Sequence, residues 1–204
     1  MDIFNNSELK ILQKLKTPAK IQDFLDSIPF NFETHGETCR SPRMVLKHRT
    51  AHCFEGAVFA AAALRVHNMP PLAILLHADK KDYDHVIAPF QINKKWGAIS
   101  KTNHACLRYR EPVYRDIHEL VMSYFHEYFL DNGRKTLRSF TNPINLSRFD
   151  KQGWMSSEKE LWYIDKYLDR IPCYNVVSKK EIKNLRQADP VEIKAGKIIQ
   201  YRKK

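Results

Sequence analysis

Cys53 stands at the start of a long apolar run, His85 opens a segment of strand character, and Trp96 precedes a second such segment ending at Ser100. A thiol at a helix start and an imidazole on a neighbouring strand are what a cysteine nucleophile with a general base requires. The attacking species is the thiolate, and a free thiol with a pKa near ~8.5 is mostly protonated at neutral pH. Positive potential is therefore needed. The unpaired N–H groups of a helix's first turn supply part of it, and a nearby imidazolium supplies more. His85 would be that imidazolium if the helix packs across the strand that carries it.

The elements that must position this pair are legible in the surrounding pattern. Thr17 followed by Pro18 reads as an N-cap with proline at the first helical position, and Ile21, Phe24, Leu25 and Ile28 recur at helical spacing, so a helix is predicted over 18–27. Ser41 and Pro42 repeat the signal before Met44, Val45 and Leu46, with a loop over 30–40 between them. From Cys53 the run HCFEGAVFAAAALRVHN is apolar on nearly every side and alanine-rich, which predicts a buried, closely packed helix ended by Pro70 and Pro71. Short β-type runs follow at 72–78, 84–92 and 95–100, the last two joined by Asn93 and Lys94 in a hairpin position. Three adjacent antiparallel strands are expected.

Asp116 with Glu119 opens a second helix, DIHELVMSYFHEYFL, whose Leu120, Val121, Tyr124, Phe125, Tyr128 and Phe129 form a wide apolar face. Beyond Gly133 the chain turns polar. Ser157 with Glu160 predicts a helix to about Leu168, Ser178 with Glu181 predicts another, and VEIK, Ala195–Gly196, KIIQ reads as a terminal hairpin. The division expected is a core over 1–150 and a basic helical and hairpin appendage over 151–204, packed on it.

The stretches TAHC at 50–53, VHNMPPLAILL at 66–76, DHV at 84–86 and KKWGAISKT at 94–102 resemble the transglutaminase-like superfamily over about residues 40 to 103. The resemblance implies an α+β, papain-like fold in which the nucleophile begins a buried helix and His and Asp lie on successive strands. Carried over position by position, Cys53 matches the nucleophile, His85 the base, and Trp96 the strand tryptophan. Ser100 stands where that family has its carboxylate. A carboxylate orients an imidazole and stabilises the imidazolium electrostatically, whereas a hydroxyl only hydrogen bonds. Asn103 is a candidate substitute, since asparagine orients the histidine of some cysteine proteases, but its strand phase differs from that of Ser100. Asp84, next to His85, points to the opposite face of a regular strand.

Three readings stay open on these residues: a working Cys–His dyad, an enzyme with a displaced third residue, and a scaffold that has lost catalysis. As an enzyme, the chain would perform thiol-dependent acyl chemistry on an amide, chiefly hydrolysis of a peptide or peptide-like bond, with a peptide or protein as substrate and no cofactor. As a scaffold, it would be a binding module for a protein or a nucleic acid. Trp96 and His52 are the candidate binding residues, His52 shaping the mouth around the thiol.

Composition limits the alternatives. The charge of +11 is uneven, with 13 Lys or Arg against 7 Asp or Glu over 151–204, so an acidic partner or nucleic acid has charge alone in its favour. Cys39, Cys53, Cys106 and Cys173 are irregularly spaced with no CxxC, which fits neither a zinc ribbon nor a disulfide framework. His48 and His52 at i, i+4 offer two metal ligands, but no HExxH accompanies them. GxSxG, GxxxxGK[ST] and GxGxxG do not occur. No run approaches the ~20 apolar residues of a membrane span. The N-terminal segment MDIFNNSELKILQKLK lacks the pattern of a secretory signal, and a cytoplasmic location is the expectation.

Overall fold

The computed structural model describes residues 3–203. Three helices lead into the cysteine segment: α1 (Asn6–Lys14), α2 (Pro18–Ser27) and α3 (Pro42–His48). Each begins at a side-chain cap, Asn5, Thr17 and Ser41 respectively, and α2 and α3 place proline in the first turn as their sequences predict. Helix α4 (Cys53–Val66) follows and is buried continuously from Phe54 to Leu64. Its alanines, Ala57 and Ala60 to Ala63, let neighbours approach closely: α1, α2 and α3 lie against it, and the sheet covers another side. Asn68 in a left-handed conformation and the two prolines after it stop the helix.

Strands β1 (Leu72–Ala78), β2 (His85–Ile92) and β3 (Lys95–Ile99) form the antiparallel centre, with Asn93 and Lys94 both at positive φ in the β2–β3 hairpin. The sheet is larger than the three strands expected. Adding β4 (Arg110–Tyr114), β5 (Leu137–Thr141), β6 (Ile144–Asn145) and β7 (Cys173–Asn175) gives the order β4-β3-β2-β1-β5-β7, with β6 also on β1. Pro112 sits on β4, at the edge where a missing N–H is tolerated. Along β2, Val86, Ala88 and Phe90 join the core around α4, while Ile87 joins a second core on the other face. That second face is covered by α5 (Ile117–Phe125), through Leu120, Val121, Tyr124 and Phe125. Burial of both faces is why the central strands read as apolar runs rather than alternating ones.

The chain is thus α+β with an antiparallel sheet. The C-terminal third differs from its reading in three places. The helix expected from Ser157 begins only as α6 (Trp162–Leu168), because Glu160 turns its carboxylate onto the backbone N–H of Cys39. A short helix, α7 (Lys179–Ile182), does follow Ser178. The expected terminal hairpin is instead α8 (Pro190–Gly196): Asp189 caps it, Pro190 is its first residue, and Glu192 returns to the Asp189 N–H. Trp154, Met155, Leu161, Ile164 and Leu168 share the core of α4, and β7 extends the sheet, so 151–204 is built into the same body. Among the described residues no helix is long and apolar enough to cross a membrane.

One contact fixes how the segment after β3 crosses α4. A Cβ added at Gly56 would lie 2.4 Å from the Cβ of Lys101, a stiff part of that side chain. Alanine gains ~1 kcal/mol of helix propensity over glycine, but overpacking costs ~1–3 kcal/mol and forces the two segments apart. Gly56→Ala is expected to lower the urea midpoint of unfolding. An unchanged or raised midpoint would show that the crossing is not tight.

Candidate active site

Cys53 is the first residue of α4 and His52 is its N-cap. The Cys53 side chain, partly exposed, lies within hydrogen-bonding reach of two imidazoles, His52 and His85. Burial works to raise its pKa, but the hydrogen bonds from His52 and His85, followed by their charges, hold it well below the usual thiol range. By contrast, burial and the carboxylates of Asp165, Glu160 and Glu55 push the Cys39 thiol far up. The two cysteines lie on opposite sides of this electrostatic divide, and of the pair it is Cys53 whose surroundings favour the thiolate.

His85 begins β2 and is buried. Its Nε2 lies 2.7 Å from Ser100 Oγ, and Ser100 Oγ lies 2.5 Å from the Leu107 carbonyl oxygen. A carbonyl only accepts, so the single hydroxyl proton goes to Leu107 and Ser100 must accept from His85 Nε2–H. This fixes the tautomer: the neutral ring carries its proton on Nε2, and Nδ1 is left for the thiol. Ser100 therefore occupies the third position that the spacing indicates, and its chemistry matches its surroundings. A carboxylate in its place would have no proton to give Leu107.

Ser100 is held from behind by α2. The Gln22 side chain donates through Nε2 to the Ser100 carbonyl at 2.9 Å and accepts from the Ser100 N–H at 3.0 Å. The next residue, Lys101, is fully buried and donates from Nζ to the carbonyls of Leu25 and Ile28, at 2.6 and 2.7 Å, at the C-terminal end of α2. Burial, partly opposed by Asp26, brings its pKa down to about 8. A C-terminal strap closes the other side, where Ala105 N–H donates to the Ile198 carbonyl and Gln200 N–H to that of Asn103.

Two expected site residues are elsewhere. Asn103 makes both of its side-chain hydrogen bonds to the backbone of Tyr201, at 2.8 and 2.9 Å, and so anchors the strap; it does not substitute as the orienting group of His85. Trp96 pairs with Gln91 near the hairpin end, six residues along β2 from His85, about 20 Å away at ~3.3 Å per residue. Partly buried, it packs against the core beneath α5 and is remote from the thiol. Asp84 accepts from the Ala78 N–H at 2.8 Å and pairs with His77, so it too is turned away from His85. His48 is exposed, while His52 Nε2 faces the Thr38 carbonyl at 2.9 Å, and the two do not act as a metal pair.

The residue missed in the sequence is Glu55. Fully buried in α4, it accepts from the His52 N–H, Asn31 Nδ2, Thr38 Oγ1 and the Arg40 N–H, at 2.8 to 3.3 Å. The signal was available: a glutamate three residues after a helix cap, in an otherwise apolar run, has the spacing of a capping box. No family model matches the chain, and no curated protein matches it in sequence.

Ser100→Asp tests the hydrogen-bond direction. It places a carboxylate against the Leu107 carbonyl, and an unpaired buried acceptor costs ~1–3 kcal/mol. A fall in thermal stability is expected. A variant as stable as the parent would mean that the serine hydroxyl does not bond Leu107 in the way described.

Proposed function

We propose that this protein carries out thiol-dependent acyl chemistry on an amide, by hydrolysis of a peptide or peptide-like bond, on a papain-like core of transglutaminase-like type. The single observation that carries the reading is the relay from Cys53 through His85 to Ser100 and the Leu107 carbonyl, which turns a basic ring nitrogen toward a low-pKa thiol. Fold class alone would not support it, since one fold hosts many functions.

The Cys53 thiol passes its proton to His85 Nδ1, and the resulting thiolate attacks the carbonyl carbon, forming the C–S bond as the carbonyl electron pair moves to oxygen. The Cys53 backbone N–H, which has no intrahelical acceptor in the first turn, faces the developing charge. Collapse breaks the C–N bond while His85 gives the proton on Nδ1 to the departing nitrogen. Water then adds to the thioester carbon, one of its protons passes to His85 Nδ1, and the C–S bond breaks to return the thiolate. The balance is amide plus water to carboxylic acid plus amine.

Acylation by an active ester such as p-nitrophenyl acetate needs the thiolate, whereas release of the acyl group also needs the base. Intact-mass spectrometry is expected to show a transient acetyl adduct on Cys53 in the parent protein. In His85→Gln it should persist, with deacylation slowed ~10²–10⁴-fold. Absence of any Cys53 adduct in both proteins would favour a non-catalytic binding module.

A further inference from the structure

The carboxylate missing from the strand of His85 has counterparts on the other side of the thiol. His52 Nε2 lies 3.5 Å from Glu55 Oε1 and 3.8 Å from Glu33 Oε1, and Asp165 of α6 is within electrostatic reach of both His52 and Cys53. Arg40 is paired with Glu55 at 3.8 Å, and beyond the thiol stands His85. Around His85 itself the Nε2 partner is a neutral hydroxyl, and the adjacent Asp84 is bonded to His77 and Ala78. The negative charge of the site is thus gathered on His52.

His52 is also fixed in place. Its Nε2 donates to the Thr38 carbonyl at 2.9 Å, an acceptor that requires a proton on that nitrogen. As N-cap of α4 it is covalently next to the thiol it faces. We propose that His52 is a second catalytic histidine: a permanent imidazolium that holds the Cys53 thiolate, leaving His85 as the proton carrier. Although burial opposes it, the hydrogen bond and charge of Cys53, then Glu55 and Thr38, push its pKa up to about 9, in line with that role.

The assignment deepens the acyl-transfer reading and rests on it for the chemistry, though not for the ion pair. In the steps above, His52 keeps both of its protons. It faces sulfur in the resting thiolate and again when the C–S bond breaks and the electron pair returns to sulfur. His85 gives its Nδ1 proton to the leaving amine and regains one from water. Separating the two tasks lets the thiolate form without depending on the protonation state of the base.

The test is the rate of Cys53 carboxamidomethylation by iodoacetamide against pH, followed by peptide mapping on the full chain so that the other cysteines do not interfere. In the parent the thiolate should persist well into the acid range, because a depressed pKa keeps the anion until pH falls through that lower value. His85→Gln removes one of the two imidazoles and is expected to raise the inflection by less than His52→Gln does. His52→Gln retains a donor for Thr38 but not the charge, and should move the inflection toward that of an ordinary thiol. Each pKa unit of movement lowers the acid-range rate about tenfold. Glu33→Gln, on a partly exposed residue, should move it the same way by less, and serves if His52→Gln fails to fold. His52→Lys should recover part of the acid-range rate.

A profile lost in His85→Gln but kept in His52→Gln would overturn the proposal and leave a one-histidine dyad, with the acyl reading intact. A profile unchanged in both would overturn the proposal and also remove the electrostatic support for a Cys–His nucleophile.

Discussion

Ser100 has one hydroxyl proton, and the carbonyl of Leu107 takes it. From that direction the rest of the site follows: Ser100 can only accept from His85, His85 holds its proton on Nε2, and Nδ1 faces the thiol at the start of α4. In a triad with a carboxylate the third residue does two things, orienting the ring and stabilising its charge. Here orientation falls to a neutral hydroxyl. The carboxylates Glu33 and Glu55 stand instead around His52.

The fold is arranged to keep that hydroxyl in place. Gln22 on α2 clamps the Ser100 backbone with two hydrogen bonds, and Lys101 ties the next residue to the carbonyls that end the same helix. Gly56 lets this segment pass against the first turn of α4, so the chain that carries Ser100 and the helix that carries Cys53 touch directly. The Tyr201 end of the chain, bonded to Asn103, steadies the loop between Ser100 and Leu107. These ties are far apart in sequence and meet only in the folded chain.

Such long-range ties set which parts are legible in the sequence. Local signals read well: proline-led caps placed α2 and α3, the alanine-rich run placed α4, and the Asn93–Lys94 turn placed the β2–β3 hairpin, whose register brings Ser100 to His85. Polar residues with long-range partners did not. Gln22 lies on a buried helix face and Glu55 inside an apolar helix, and their roles come from Ser100, Asn31 and Thr38, which the spacing of residues cannot supply. Closeness along the chain to Ser100 does not bring Trp96 or Asn103 to the thiol: Trp96 lies near the hairpin end and Asn103 bonds Tyr201. The hairpin expected over the terminal segment gives way to α8 because the Asp189–Pro190 pair and Glu192 set a helix cap. The edge strands β4 and β7 are short and polar, and only pairing makes them strands.

The proposed chemistry requires Cys53 to be a thiolate at neutral pH. The difference in ultraviolet thiolate absorbance between the parent protein and Cys53→Ser, titrated from neutral pH into the acid range, measures this directly. A full thiolate signal at neutral pH that disappears only in the acid range is expected. A difference signal that is absent at neutral pH and develops only in the alkaline range of an ordinary thiol would contradict it.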